Sequence, residues 1–290
     1  MNEEPDLPSL WSHAPHEHLR FRSGQQVSEI RTRATPGFQG KKADAATLQV
    51  ERNLRLAELQ EKLYANSKAG TGTDRSVLLV LQGMDTSGKG GIVKHVVGAV
   101  NPMGVRYTAF GTPTEEERAH HYLWRIRKAL PSAGHIGVFD RSHYEDVLIV
   151  RVHNLVPPAE WEPRYDEINA FERELTDSGM KLVKVAMFLS LAKQKEQLLE
   201  RLDDPTKYWK YNTGDIDERK HWKAYQEAYQ VMLDRTSTDY APWFVVPCDR
   251  RWYSRLAVTE LLIQALKSFN MVWPPADFDV AAERKRLLES

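Results

Sequence analysis

The stretch SVLLVLQGMDTSGKGG, Ser76 to Gly91, decides how this chain is built. Val77 to Leu81 is an unbroken run of Val and Leu, the composition of a strand buried on both faces of a parallel sheet. It runs straight into Gly83-Met84-Asp85-Thr86-Ser87-Gly88-Lys89, which fits G-x-x-x-x-G-K. In such a loop the glycines let backbone N–H groups turn toward a phosphate chain. The following helix adds the positive end of its dipole, and the lysine supplies a charge on a flexible stem. Gly83, Thr86, Ser87, Gly88, Lys89 and Gly90 are therefore the candidate cradle. The competing reading is a glycine-rich turn between strand and helix. Ile92, Val93, Val96, Val97 and Val100 recur at helical spacing after the loop, which is the context a phosphate loop requires. Gly90 stands where Ser or Thr normally offers a hydroxyl to Mg²⁺, so the metal must find other oxygens, and Asp85 is the candidate.

Outward from this loop, strands and helices alternate. Strands are expected at Val105 to Phe110, Ile136 to Phe139, Lys181 to Leu191 and Trp243 to Cys248. Helices are expected from a Thr114/Glu117 capping box to about Leu130, from about Pro163 to Ser178, from about Asp215 to Asp234, and as an amphipathic Tyr253 to Phe269. The run His143 to Val150 reads as helix or short strand. Asp44 looks like the N-cap of an earlier helix, with Leu48, Leu54, Leu56, Leu59 and Leu63 on its sheet-facing side. This pattern predicts an α/β fold of three layers, a parallel central sheet between helices, in one domain at residues 44–275. Residues 1–43 read as a partly flexible arm and 276–290 as a tail. Between Arg20 and Lys42 six Arg or Lys face one acid, Glu29; the arm is either a solvated tail or an electrostatic contribution to a phosphate groove.

Bulk properties narrow the classes. The formal net charge is zero over 290 residues, so a polyanionic substrate has to be held by a local basic patch, and no nucleic-acid partner is expected. One cysteine, Cys248, excludes an internal disulfide and a Cys-rich zinc site. No apolar run approaches the ~18 residues of a membrane span, and MNEEPDLPSLWSH at the start is acidic without an apolar core. A soluble, cytoplasmic protein is expected.

Two further constellations carry chemistry. Ile136-Gly137-Val138-Phe139-Asp140 is an apolar strand ending in an acid, the form of a Walker B element whose aspartate holds Mg²⁺ beside phosphates; its other reading is a helix N-cap. Arg141 either clamps a phosphate through two parallel hydrogen bonds or pairs with Glu145 at i+4. The insert DDPTKYWKYNTGDIDERK, Asp203 to Lys220, interrupts the α/β alternation with Lys207, Lys210, Arg219 and Lys220 around Tyr208, Trp209 and Tyr211. It reads as a basic lid over about residues 203–222, expected above the strand C-termini, or as a charged helix face with pairs such as Asp215–Arg219. The histidines show no metal-ligand spacing.

The pieces GMDTSGKGG, FDRSHYEDVLIVRVHNLVP and DDPTKYWKYNTGDIDERKHWKAYQEAY, in this order, resemble the polyphosphate kinase 2 family from about residue 45 to 275. The resemblance implies a thymidylate-kinase-like P-loop fold, dependence on Mg²⁺ (with Mn²⁺ as a substitute), and phosphoryl transfer between inorganic polyphosphate and nucleotides. HYED after D-R-S is similar to the subgroup called class III, which phosphorylates nucleoside mono- and diphosphates, AMP and ADP with GMP and GDP as further candidates. Carried over by position, it implies Lys89 as the phosphate-chain lysine, Asp85 and Asp140 as the metal-positioning acids, and Arg141 as the clamp. Lys207, Lys210 and Arg219 become lid cations, Glu145 a residue of nucleotide choice, and a homo-oligomer, dimer or tetramer, the expected assembly. An ATP-using nucleoside monophosphate kinase, a P-loop ATPase switch and a non-catalytic nucleotide- or polyanion-binding protein are the alternatives.

Overall fold

A computed structural model describes residues 10–71 and 74–290. Among them five strands form one parallel sheet: β1 (Ser76–Gln82), β2 (Val105–Ala109), β3 (Ile136–Asp140), β4 (Met180–Phe188) and β5 (Trp243–Pro247). Their order across the sheet is β2-β3-β1-β4-β5, with every neighbouring pair parallel. The chain moves outward to one side after β1 and crosses to the other after β3. The C-terminal ends of β1, β3 and β4 thus meet at the point where the order reverses, where open α/β sheets bind ligands. All seven residues of β1 are buried, as its Val/Leu run required.

Helices Lys89–His95 and Arg251–Lys267 pack on one face, and Arg164–Asp177 and Trp222–Thr236 pack together on the other. The fold is a three-layer α/β/α P-loop kinase fold. Helix Arg251–Lys267 is not amphipathic: twelve of its residues are buried, on every side, because helix Lys42–Lys68 covers the face turned away from the sheet. A buried bidentate pair, Arg52 to Glu260 at 2.7 and 2.9 Å, joins these two helices. Helix Lys42–Lys68 therefore lies mainly on another helix, and Leu54 points to solvent with 70% of its surface exposed. Its N-cap is Lys41; Asp44 sits at the third helical position and accepts the Lys41 N–H at 2.7 Å.

Three other expectations shift. The Thr114/Glu117 capping box forms, but the helix stops at Arg118 and restarts at Leu123. His121 Nδ1 takes the Leu123 N–H, a local side-chain bond in place of the helical one. The segment after β3 is helical, a 3₁₀ turn at His143–Val147 followed by Ile149–Val152. β4 ends at Phe188, because Ser190 caps helix Leu191–Leu202 through the Lys193 N–H at 3.0 Å.

Residues 10–41 are packed against the domain, unlike a solvated arm; residues 1–9 lie outside the described residues. Trp11, Leu19, Phe21, Val27 and Phe38 belong to the core. Phe21 N donates to Trp243 O at 2.8 Å and Val245 N to Leu19 O at 2.7 Å, an antiparallel bridge along the outer edge of β5. Of the arm's cations, Arg20 pairs with Asp239 at 2.6 Å. The tail carries a helix, Val280–Leu288, none of whose residues is buried. No helix among the described residues is long and apolar enough to cross a membrane.

Candidate active site

The phosphate loop is shaped by positions where a side chain has no room or the backbone is left-handed. A Cβ on Gly83 would lie 2.7 Å from Ser87 Oγ and 2.8 Å from Met187 O. Gly88 has φ +104°, and Thr86, which is not a glycine, is held at φ +65°, a strained conformation that persists where surroundings over-determine it. Lys89 opens the following helix, and its Nζ donates to Gly83 O at 2.6 Å. The lysine thus lies across its own loop. The hydroxyls of Thr86 and Ser87 are buried with no partner in the chain, donors that an oxygen-rich ligand would satisfy. Gly90, by contrast, has open space where a Cβ would go. Gly83→Ala is accordingly expected to destabilise by about 1–3 kcal/mol and to lose activity. Gly90→Ser should melt with the wild type; equal melting of both variants would contradict this geometry.

β3 delivers Asp140 and Arg141 beside the loop, because Leu81 and Asp140 are partners in the β1–β3 register and Arg141 N donates to Leu81 O at 3.0 Å. Arg141 also has φ +65°, which turns its side chain back to Asp85, an ion pair of 3.0 Å. Burial works against its charge, but Glu145, Asp85 and Asp140 outweigh that and push its pKa upward. Arg141 is thus paired with Asp85 rather than held in a surface pair with Glu145. Ser142, fully buried, accepts the Tyr144 N–H and caps the 3₁₀ turn that carries Glu145. Burial raises the Glu145 pKa, opposed by Arg141 and Lys89. Asp140 accepts a long hydrogen bond, 3.5 Å, from Tyr107 on β2.

Two cavities meet here. One of about 680 Å³ runs over the phosphate loop and is lined by eight Lys or Arg, among them Lys89, Lys94, Lys207, Lys210, Arg251 and Arg255, against three acids, Asp85, Asp140 and Glu200. The histidine in this patch, His95, has its pKa lowered by burial and then by Arg255 and Lys94. The other cavity, about 220 Å³, is acidic: Asp85, Glu145, Asp215 and Glu218 face Arg141 alone. Asp85 and Arg141 line both. A chain of zero net charge has sorted its charges into a basic groove and an acidic chamber that share one ion pair.

Residues of the 203–222 segment line both cavities. Lys207, Trp209 and Lys210 line the basic one, and Asn212, Gly214, Asp215 and Glu218 the acidic one. Arg201 donates to Lys210 O at 2.8 Å and pairs with Asp215 at 3.2 Å, so the Asp215–Arg219 pair does not form. Arg219 lines neither cavity: its guanidinium donates to Leu191 O at 3.1 Å and Gln194 Oε1 at 2.8 Å. Sequence reading missed Lys94, Arg251, Arg255 and Asp215. The spacing Arg251/Arg255 puts both on one helix turn, a signal that was there to be used.

A profile of the family described as Polyphosphate kinase 2 matches residues 40–272. The chain belongs to the polyphosphate kinase 2 family. An AMP/ADP-polyphosphate phosphotransferase of Meiothermus ruber is 45% identical over 83% of this chain and 88% of its own length. An ADP-polyphosphate phosphotransferase of Rhodopseudomonas palustris is 37% identical over 94% of this chain and 96% of its own. The crystal structure of Polyphosphate Kinase 2 from Arthrobacter aurescens TC1 superposes with a TM-score of 0.93 at 52% identity, covering 97% of this chain and 98% of that one. The polyphosphate kinase 2 match begins within the loop before helix Lys42–Lys68 and so includes every site residue described above.

Proposed function

We propose that this chain transfers the terminal phosphoryl group of inorganic polyphosphate to nucleoside mono- and diphosphates, AMP to ADP and ADP to ATP, with GMP and GDP also accepted, and that the reaction runs in both directions. The observation that carries the reading is the junction of the two cavities at Asp85 and Arg141. The basic groove fits a polyanionic donor, and the acidic chamber, rich in acceptors, fits the hydroxyl and amino groups of a nucleoside. The names of the M. ruber and R. palustris relatives support the substrates.

In this reading a phosphate oxygen of the acceptor forms a bond to the terminal phosphorus while the bridging P–O bond of the polyphosphate breaks. The donor leaves one phosphate shorter. A phosphate oxygen needs no strong base, so positioning and charge neutralisation are the catalytic work. Lys89 turns from the loop carbonyls to the donor phosphates, Arg141 clamps the transferring group, and Lys207 and Lys210 cover it.

Among the described residues no group of three or more His, Cys, Asp or Glu gathers as a metal site. Mg²⁺ usually takes one or two carboxylates and completes its shell with substrate phosphates and water, so Asp85 and Asp140 fit it. Held there, Mg²⁺ or Mn²⁺ would supply positive charge to neutralise the phosphates. The free, buried Cys248 accords with a cytoplasmic enzyme, and exposed Val272, Trp273, Phe278 and Leu288 accord with a homo-oligomer, dimer or tetramer.

The test is an assay of purified protein with Mg²⁺ and long-chain polyphosphate, supplying AMP, ADP, GMP or GDP separately and resolving the nucleotides by chromatography. ATP formed from AMP through ADP is expected. ADP formed from ATP plus AMP, without any transfer from polyphosphate, would replace this reading with a nucleoside monophosphate kinase.

A further inference from the structure

Gln194 lies in the first turn of helix Leu191–Leu202 and is 1% exposed. Its amide is used at both ends. Nε2 donates to the main-chain oxygen of Asp85 at 3.2 Å, and Oε1 accepts from Arg219 Nη1 at 2.8 Å. The Asp85 carboxylate in turn meets Arg141 at 3.0 Å. Direct contacts therefore run Arg219–Gln194–Asp85–Arg141, from the lid segment through the phosphate loop to the end of β3. The centre of this chain is fixed to the sheet: Ser190 caps the helix, and its own N–H is held by Asp249 Oδ1 at 2.8 Å, just past β5.

We propose that Gln194 is a positioning residue that couples the 203–222 segment to the phosphate loop. The lid arginine does not reach either cavity, so its influence on the reacting groups passes through this amide. A glutamine amide offers a donor at one end and an acceptor at the other over this reach. A glutamate would keep the arginine and turn an oxygen onto the Asp85 carbonyl; a leucine would keep the volume and lose both bonds. When Arg219 holds Oε1, the Nε2 hydrogens are aimed at Asp85, and the loop carbonyl, with the carboxylate beside it, is held in one place. Release of Arg219 frees the amide to rotate. The proposal rests on the phosphotransferase reading for its kinetic consequence and on the hydrogen bonds alone for its structural one, and the two are tested separately.

The structural test is hydrogen–deuterium exchange on the full chain for Arg219→Met, Gln194→Leu and the double variant. Arg219→Met is expected to speed exchange by at least about threefold in residues 83–90, which Arg219 does not touch, as well as in the lid. In the Gln194→Leu background the arginine change should add nothing at residues 83–90. Acceleration confined to 203–222, or equal acceleration at the loop in both backgrounds, overturns the proposal whether or not the enzyme turns over polyphosphate.

The kinetic test uses Gln194→Glu. The expected result is a kcat lower by about tenfold, the scale of a small displacement of reacting groups, with the KM for AMP and the melting temperature kept. A kcat within about twofold of wild type overturns the coupling. An inactive wild type refutes the phosphotransferase reading instead and leaves the exchange result to decide the relay.

Discussion

Replacing Lys89 with alanine is expected to abolish turnover, a fall of at least about 10³-fold in kcat, while the protein stays folded. The lysine is the cation built into the loop: its Nζ lies 2.6 Å from Gly83 O and 3.5 Å from Met84 O. These bonds hold it inside the cradle without a carboxylate partner, so an arriving phosphate chain competes with carbonyls and not with an ion pair. Removing it leaves those carbonyls with one donor fewer, a structural cost of about 1 kcal/mol, which separates loss of catalysis from loss of fold. Asp85→Asn should behave the same way, because it removes both a candidate metal oxygen and the charge opposite Arg141. Steady-state kinetics beside a thermal melt measures both. Full activity in either variant would sink the assignment of this loop.

Lys184→Met is expected to have the largest effect on stability, a loss of about 3–5 kcal/mol and roughly 10 °C in Tm. Lys184 points from β4 into the helical layer, fully buried, and its Nζ donates to Glu172 Oε2 at 2.6 Å, Tyr144 OH at 2.9 Å and Thr236 O at 2.7 Å. Tyr144 OH donates to Glu172 Oε1 at 2.7 Å. The network ties β4, helix Arg164–Asp177, helix Trp222–Thr236 and the turn behind Glu145 together. Burial works to raise the Glu172 pKa, yet Lys184 and His143 bring it below the ordinary value. Its contribution is therefore complete above the unfolded pKa, near 4.3, and is lost as pH falls through the lowered folded value. Without Lys184 the sign reverses: buried Glu172, left with Tyr144 and His143 but without its ammonium partner, is expected to have a raised pKa, and its penalty is relieved as the pH drops. The gap between wild type and Lys184→Met should narrow from pH 7 to pH 5, and Lys184→Met/Glu172→Leu should recover most of the loss. Thermal melts at the two pH values decide this; a loss under about 1 kcal/mol would show that the pair does not hold these layers.

What could be read from the sequence was what neighbouring residues encode together. The run from Val77 to Lys89 contains its strand, its turn and its cation within one segment, and Asp140 closes an apolar strand in the same way. The Thr114/Glu117 box is likewise local and forms as expected. The features that escaped depend on partners far along the chain. Helix Arg251–Lys267 is buried all round because a helix some 200 residues earlier lies on it, and nothing within its own sequence announces that cover. Arg219 looks like a phosphate ligand beside Lys207 and Lys210, but Gln194, an unremarkable glutamine in a polar helix, captures it. The basic groove draws Lys94, Arg251 and Arg255 from two helices that only the sheet brings side by side.

The bridge between the arm and β5 bears on where the unit of folding starts. An uncovered outer strand is a template for pairing with another chain, and proteins blunt such edges with whatever segment they can lay along them. Here that segment is Leu19 to Phe21, which satisfies Trp243 O and Val245 N, while the family match begins at residue 40. The family profile therefore starts after the segment that covers this edge, whereas the likeness to the R. palustris relative and to the A. aurescens structure, over 94% and 97% of this chain, extends ahead of residue 40. Residues 10–39 carry no catalytic side chain described above, and what they contribute here is a covered edge on β5.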